Sequence, residues 1–199
     1  MQTIIFDLGG VLVEETTQIR DAAKRLGVAP HEIARRYWSE RLDWDHGASN
    51  LDYWGRVADG AGVNISEEVA DDLARFDSRL WTTLRPAARQ ILADLADKPQ
   101  PVWLLSNAAA VFEQTVDESD WREFIDGRFI SGALRLLKPD PAIFAHVEQA
   151  LGTDPAELHF IDDRPENVAA ARERGWRARL WSSDADTRAW LVGLGVLDD

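Results

Sequence analysis

The chain has 199 residues, no cysteine and a formal net charge of −13. Those figures exclude disulfides, thiolate metal sites and a cysteine nucleophile, and they argue against nucleic acid or an acidic membrane as partner, since both call for a basic face. Hydrophobic residues make up 45% and charged residues 29%, the balance of a globular chain with a sizeable core, on which a phosphate ester can bind only at a local positive site.

The opening MQTIIFDLGG has neither the charge nor the apolar length of a targeting segment, so the expected compartment is the cytoplasm. Thr3 to Phe6 reads as a buried strand that ends in a tight turn, Asp7-Leu8-Gly9-Gly10. Some seventy helical residues follow. Ile19, Ala22, Ala23 and Leu26 share a face closed by Gly27. Pro30 starts a second helix carrying Ile33, Tyr37, Trp38 and Leu42. Leu51, Trp54 and Val57 mark a third, and Ser66 with Glu67 and Glu68 opens a fourth.

From Leu84 the pattern alternates. Helices are predicted over 86–96, 108–116, 141–151, 165–174 and 187–194. Strands are predicted over 102–105, 129–131, 158–161 and 178–181. Apolar strands alternating with helices indicate a parallel sheet covered on both faces. The expected architecture is α/β: a Rossmann-like, three-layer core of residues 1–13 and 84–199, with an inserted all-helical cap domain of residues 14–83.

Four segments concentrate chemistry: Asp7, Ser106-Asn107, Lys138-Pro139-Asp140-Pro141 and Asp162-Asp163. Each has a plain structural explanation. Asp7 to Gly10 suits a turn, Ser106 or Asn107 a helix cap, Asp140-Pro141 a cap and first helical residue, and Asp163 with Glu166 a capping box. Together they carry more. In an open parallel sheet, ligands bind beyond the carboxyl ends of the strands, and Asp7, Ser106 and Asp162 all fall at such ends. Two carboxylates 4 Å apart repel by roughly 4 kcal/mol at an effective dielectric of 20. Three of them call for a cation, and an all-oxygen, open site suits Mg²⁺. Lys138 is one of only three lysines; a compact ammonium suits a tight anionic site.

The segments FDLGGVL, LLSNA, LLKPDPAIF and FIDDRPENV resemble, in order, the four motifs of the haloacid dehalogenase superfamily, in particular its helical-cap branch of sugar-phosphate phosphatases, glucose-1-phosphate phosphatases among them. The resemblance implies roles. Asp7 is the nucleophile that forms an aspartyl-phosphate, and Ser106 and Lys138 are catalytic partners. Asn107 and Gly10 bind substrate. Asp7, the Gly9 carbonyl, Asp162 and Asp163 hold Mg²⁺. In the insertion, Trp44-Asp45-His46-Gly47 is similar to the substrate-facing turn of related caps, so Trp44, Asp45 and His46 are expected to meet a sugar, although cap tryptophans also serve as core. The implied partner is a small phosphorylated substrate.

One departure stands out. Where most phosphatases of the family carry an acid/base Asp two residues after the nucleophile, this chain has Gly9. Either the leaving group is a good one, or Glu14 or Glu15 substitutes, or turnover is slow or absent. Three functions follow: a phosphatase, a catalytically weak phosphate-binding or interaction module, and a metal-free dehalogenase. The Asp162-Asp163 pair opposes the last, because dehalogenases of the family usually lack it.

Overall fold

The structure, a computed structural model, describes residues 1–14 and 17–198. Five strands form one parallel sheet: β1 (Thr3–Phe6), β2 (Val102–Ser106), β3 (Gly127–Ile130), β4 (Leu158–Asp162) and β5 (Arg177–Leu180). Their spatial order is β3-β2-β1-β4-β5. Chain order reverses at β1, so the first strand is central and its carboxyl end opens onto the switch point where such sheets bind ligands. Phe6 pairs with Leu104 on one side and Ile161 on the other, which brings Asp7 level with the ends of β2 and β4.

Side chains alternate across the sheet because successive Cβ atoms point to opposite faces. Ile4, Phe6, Val102, Leu104 and Ile161 join one hydrophobic cluster, and Ile5, Leu105, Leu158 and Phe160 join another. Helices cover both. On the first face lie α6 (Pro86–Ala96), α7 (Phe112–Asp117) and α11 (Asp184–Gly193); on the second lie α9 (Pro141–Leu151) and α10 (Pro165–Glu173). Proline at the first turn pre-sets several of these helices, α6, α9 and α10 among them. This is the three-layer α/β/α arrangement that the alternation predicts.

Between β1 and α6 the chain forms α1 (Gln18–Leu26), α2 (Pro30–Ser39), α3 (Arg41–Asp45), α4 (Asn50–Asp59) and α5 (Glu67–Leu80). Left-handed Gly27 stops α1, and the Ser49 and Ser66 side chains cap α4 and α5. The single helix expected from Pro30 through Leu42 is two, because the chain bends at Glu40 and turns Arg41 toward Asp45 and Asp77. These helices do not bury a separate core. Tyr37, Trp44, Trp54 and Leu73 belong to the same cluster as Phe6 and Leu104.

Two further boundaries differ from expectation. The helix after β2 starts at Phe112 rather than Ala108, because the intervening residues bind the neighbouring loop: the Ala108 N–H donates to Ser131 Oγ. Ser131 itself leaves β3 and opens α8 (Ser131–Leu134). The last helix starts three residues early, at Asp184, where Ser183 caps it. Among the described residues no helix is long and apolar enough to cross a membrane.

Candidate active site

At the carboxyl edge of the sheet, Lys138 is buried with its ammonium between two carboxylates. Its Nζ lies 2.6 Å from Asp162 Oδ2 and 3.1 Å from Asp7 Oδ1, and it donates to the Leu105 carbonyl at 2.8 Å. The Asn107 side chain fixes the Lys138 backbone from both sides. Its amide donates to the Lys138 carbonyl at 2.8 Å, and its oxygen accepts the Lys138 N–H at 2.9 Å. Asn107 therefore positions Lys138, and both its side-chain polar atoms are committed to that task.

Asp162 is fully buried and saturated. Besides Lys138 it accepts the Arg164 N–H at 2.8 Å and the Asn167 amide at 3.0 Å on each oxygen. It anchors the ammonium and does not face the cleft. Asn167 was not anticipated from sequence; it sits in the first turn of the helix after the Asp-Asp pair, a position where an amide that bonds back to the strand end is a readable signal. Its own oxygen is buried without a partner.

Asp7 and Asp163 do face the cleft. Oxygens of Asp7, Asp162 and Asp163 lie within 4.8 Å of one another. Burial pushes the Asp7 carboxyl up to about 7, with Lys138 pulling it down and Asp162 and Asp163 adding to the rise. Burial, then Asp162, also raises Asp163. Desolvation acts to lower Lys138, but Asp7 and Asp162 outweigh it and the ammonium is held above its ordinary value. Against three carboxylates, the Lys138 ammonium and the Arg164 guanidinium that acts on Asp163 still leave the group net negative, which suits a divalent cation in charge and in donor chemistry. The turn is built for this crowding. At Gly10 (φ +75) an added Cβ would fall 2.3 Å from Asp163 Oδ2, so a side chain there is barred by both conformation and space.

The other predicted residues divide. Ser106 lines the cleft. Gly10 lines it too, but its N–H donates to the Val13 carbonyl and is spent. Asp45 reaches the cleft with Arg41; burial raises Asp45 to about 6 against the pull of Arg41. Trp44 does not reach it: the ring is fully buried, stacked on Tyr53 at 4.2 Å. His46 does not line it either. Its Nε2 contacts the Arg135 carbonyl at 2.9 Å, while Ser131 Oγ donates to the Asp45 carbonyl at 2.5 Å. The Trp44 to Gly47 turn thus fastens the insertion to α8. Glu14 is exposed and lies outside the cleft, and Glu15 lies outside the described residues.

The cleft measures about 380 Å³, and its lining includes residues that the sequence did not single out for it: Trp81, Leu42, Phe112 and Arg164. Trp81 comes from the end of α5, seventy-odd residues from the β1 turn it covers, and no local pattern announces such a contact.

Residues 1–175 match the haloacid dehalogenase-like hydrolase family, and the chain belongs to that family. Relatives fall on both sides of its chemistry. A sesquiterpene phosphatase of Aspergillus oryzae is 34% identical over 177 residues, covering 86% of this chain and 85% of that protein. An (S)-2-haloacid dehalogenase of Xanthobacter autotrophicus is 27% identical over 209 residues, covering 97% of this chain and 81% of that one. Among solved structures, a HAD family enzyme of Bacteroides thetaiotaomicron in complex with magnesium and inorganic phosphate shares the fold. Its TM-score is 0.73 at 20% identity, over 92% of this chain and 94% of that chain. The chain is a hydrolase of this family with a Rossmann-like core.

Proposed function

We propose that the protein is a Mg²⁺-dependent phosphatase of a small phosphorylated metabolite, working through an aspartyl-phosphate on Asp7. The observation that carries this reading is the third carboxylate. Asp163 lies against the Asp7 turn, beside a left-handed glycine where an added Cβ would crowd it, and that arrangement has a use if the excess negative charge meets a cation. Asp7, the Gly9 carbonyl and Asp163 would hold Mg²⁺, with Asp162 in support. The ion would supply charge neutralisation between the nucleophile and a phosphoryl group.

The chain's own groups do the rest. Asp7 forms the new P–O bond, and the ester P–O bond breaks with its electron pair leaving on the ester oxygen. Lys138 stays protonated and offsets charge on Asp7 and the phosphoryl oxygens. Ser106 stands where it can donate to those oxygens. Water then cleaves the aspartyl-phosphate and regenerates Asp7. Position 9 offers no acid, which forgoes a contribution of about 10²–10⁴ in rate and favours a substrate whose leaving group needs little help. A phosphate-binding member without turnover is the reading that Gly9 alone favours.

Phosphate release with and without Mg²⁺, with Asp7→Asn as control, separates the two. Mg²⁺-dependent turnover lost in the variant is the expected result; phosphate binding without turnover by folded protein establishes the binding module. Chloride release from a 2-haloacid without metal would return the assignment to dehalogenation.

A further inference from the structure

The cleft has two unlike halves. The sheet edge supplies its polar groups: Asp7, Ser106, Lys138 and Asp163. The opposite wall carries most of the carbon, beside Arg41 and Asp45. Trp38 is 42% exposed and Leu42 64% exposed, two of the six large hydrophobic side chains left open to solvent among the described residues, and both line this cleft beside Trp81 and Phe112. Surface apolar groups scattered singly need no explanation, but neighbours gathered in a concave wall beside a polar site do.

The polar groups on that side are largely paired with one another. Arg41 Nε bonds Asp45 at 3.0 Å and its Nη1 bonds Asp77 at 3.1 Å. Tyr37 donates its hydroxyl to Asp77 at 2.6 Å and accepts the Trp81 indole N–H at 2.9 Å. A hydroxylated leaving group would give up its water against Trp38, Leu42 and Phe112. The same bonds pin the Trp81 ring. Its Cζ3 stands 3.4 Å from where a Cβ on Gly9 would be, and Trp38 packs edge-on to it at 6.2 Å. Indole therefore fills the space into which a longer side chain at position 9 would project.

Resting on the phosphatase reading, the geometry points to a phosphate monoester with an apolar leaving group, seated on Trp38, Leu42, Trp81 and Phe112. The phosphoryl group faces Asp7 and Lys138, and the carbon skeleton faces the aromatic wall. When the ester bond breaks, the leaving oxygen keeps the electron pair and takes its proton from water at the mouth. Aryl and aliphatic skeletons both fit the wall, and an aryl oxygen also leaves without the acid that position 9 lacks.

Two measurements decide it. The first is kcat/KM with Mg²⁺ for 1-naphthyl phosphate and for hexyl and decyl phosphates, against glycerol 3-phosphate and glucose 6-phosphate. At least tenfold preference for the apolar esters is expected, the aryl and alkyl arms telling the two skeletons apart; equal or better turnover of the sugar ester overturns the inference. The second is calorimetric binding of alkyl phosphonates of rising chain length, which needs no turnover. Affinity should rise about two- to fourfold per methylene, and Leu42→Ser, at an exposed position, should flatten the rise. If no ester is hydrolysed, the phosphatase reading fails while rising phosphonate affinity still upholds the apolar wall. Affinity independent of chain length sinks the wall whatever the activity.

Discussion

In the helical insertion Arg41 stands between Asp45 and Asp77, and at the sheet edge Lys138 stands between Asp7 and Asp162. Both are buried cations flanked by aspartates, yet they end differently. Around Arg41 a chain of hydrogen bonds satisfies the buried carboxylate: Tyr37 serves Asp77, and Trp81 serves Tyr37. Around Lys138 a third carboxylate, Asp163, joins the two that flank the ammonium, and Arg164 and Lys138 only partly offset the burial and the Asp162 charge that raise it. A closed cluster of buried charge holds a fold in register; an open one stores repulsion that a ligand can relieve. The difference locates chemistry at the sheet edge and architecture in the insertion.

The comparison can be broken by neutralising one member of each cluster. The largest effect is expected for Asp7→Asn, which should cut turnover on the order of 10⁴–10⁶-fold. In metal-free buffer near pH 8 the same variant should be more stable, on the order of 1 kcal/mol by urea denaturation, since it removes a carboxylate that burial and its neighbours disfavour. Arg41→Met should do the reverse to the fold. It leaves Asp77, fully buried, without its cation, and a loss of about 3–5 kcal/mol is expected in the same titration. Stability gained in the second variant, or lost in the first, would erase the distinction.

A smaller effect sharpens it. Gly10→Ala forces a Cβ toward Asp163 at a positive φ and should cost about 1–3 kcal/mol, with weakened Mg²⁺ binding by calorimetry. The smallest concerns an ordinary ion pair away from both clusters. Hydrogen bonds from Arg174, and then from Trp176, hold Glu148 below its usual range. A depressed carboxyl contributes stability above its unfolded value, near 4.5, and loses it as pH falls through the folded one. Glu148→Gln should therefore cost about 0.5–1 kcal/mol at pH 7, and the gap from wild type should close in acid below about pH 4.

The sheet was legible because its signal is local. Runs such as TIIF and VWLL are buried on both faces, and the polar residues that end them stand at one edge once the strands are parallel. The grouping of Asp7, Lys138 and Asp162 followed from that edge. Partnerships across the chain were not legible. Trp44 was expected at a substrate-facing turn and Trp38 on a packed helix face, yet Trp44 is core and Trp38 cleft wall, since only packing decides which face is covered. Asp77 left a faint trace, as a charge in register with Ala70, Leu73 and Ala74 on the buried stripe of α5. The meeting of Trp81 with Gly9 left none.

One hydrophobic cluster runs from the sheet into the insertion without a seam. The division near residues 14 and 83 thus separates stretches of chain, not cores. Cutting the insertion out would uncover Phe112, over which Arg41 lies, and the Gly9 turn, against which Trp81 packs. Whoever grafts a new lid onto this scaffold must therefore carry its landing face along with it, and natural diversification of the pocket faces the same constraint.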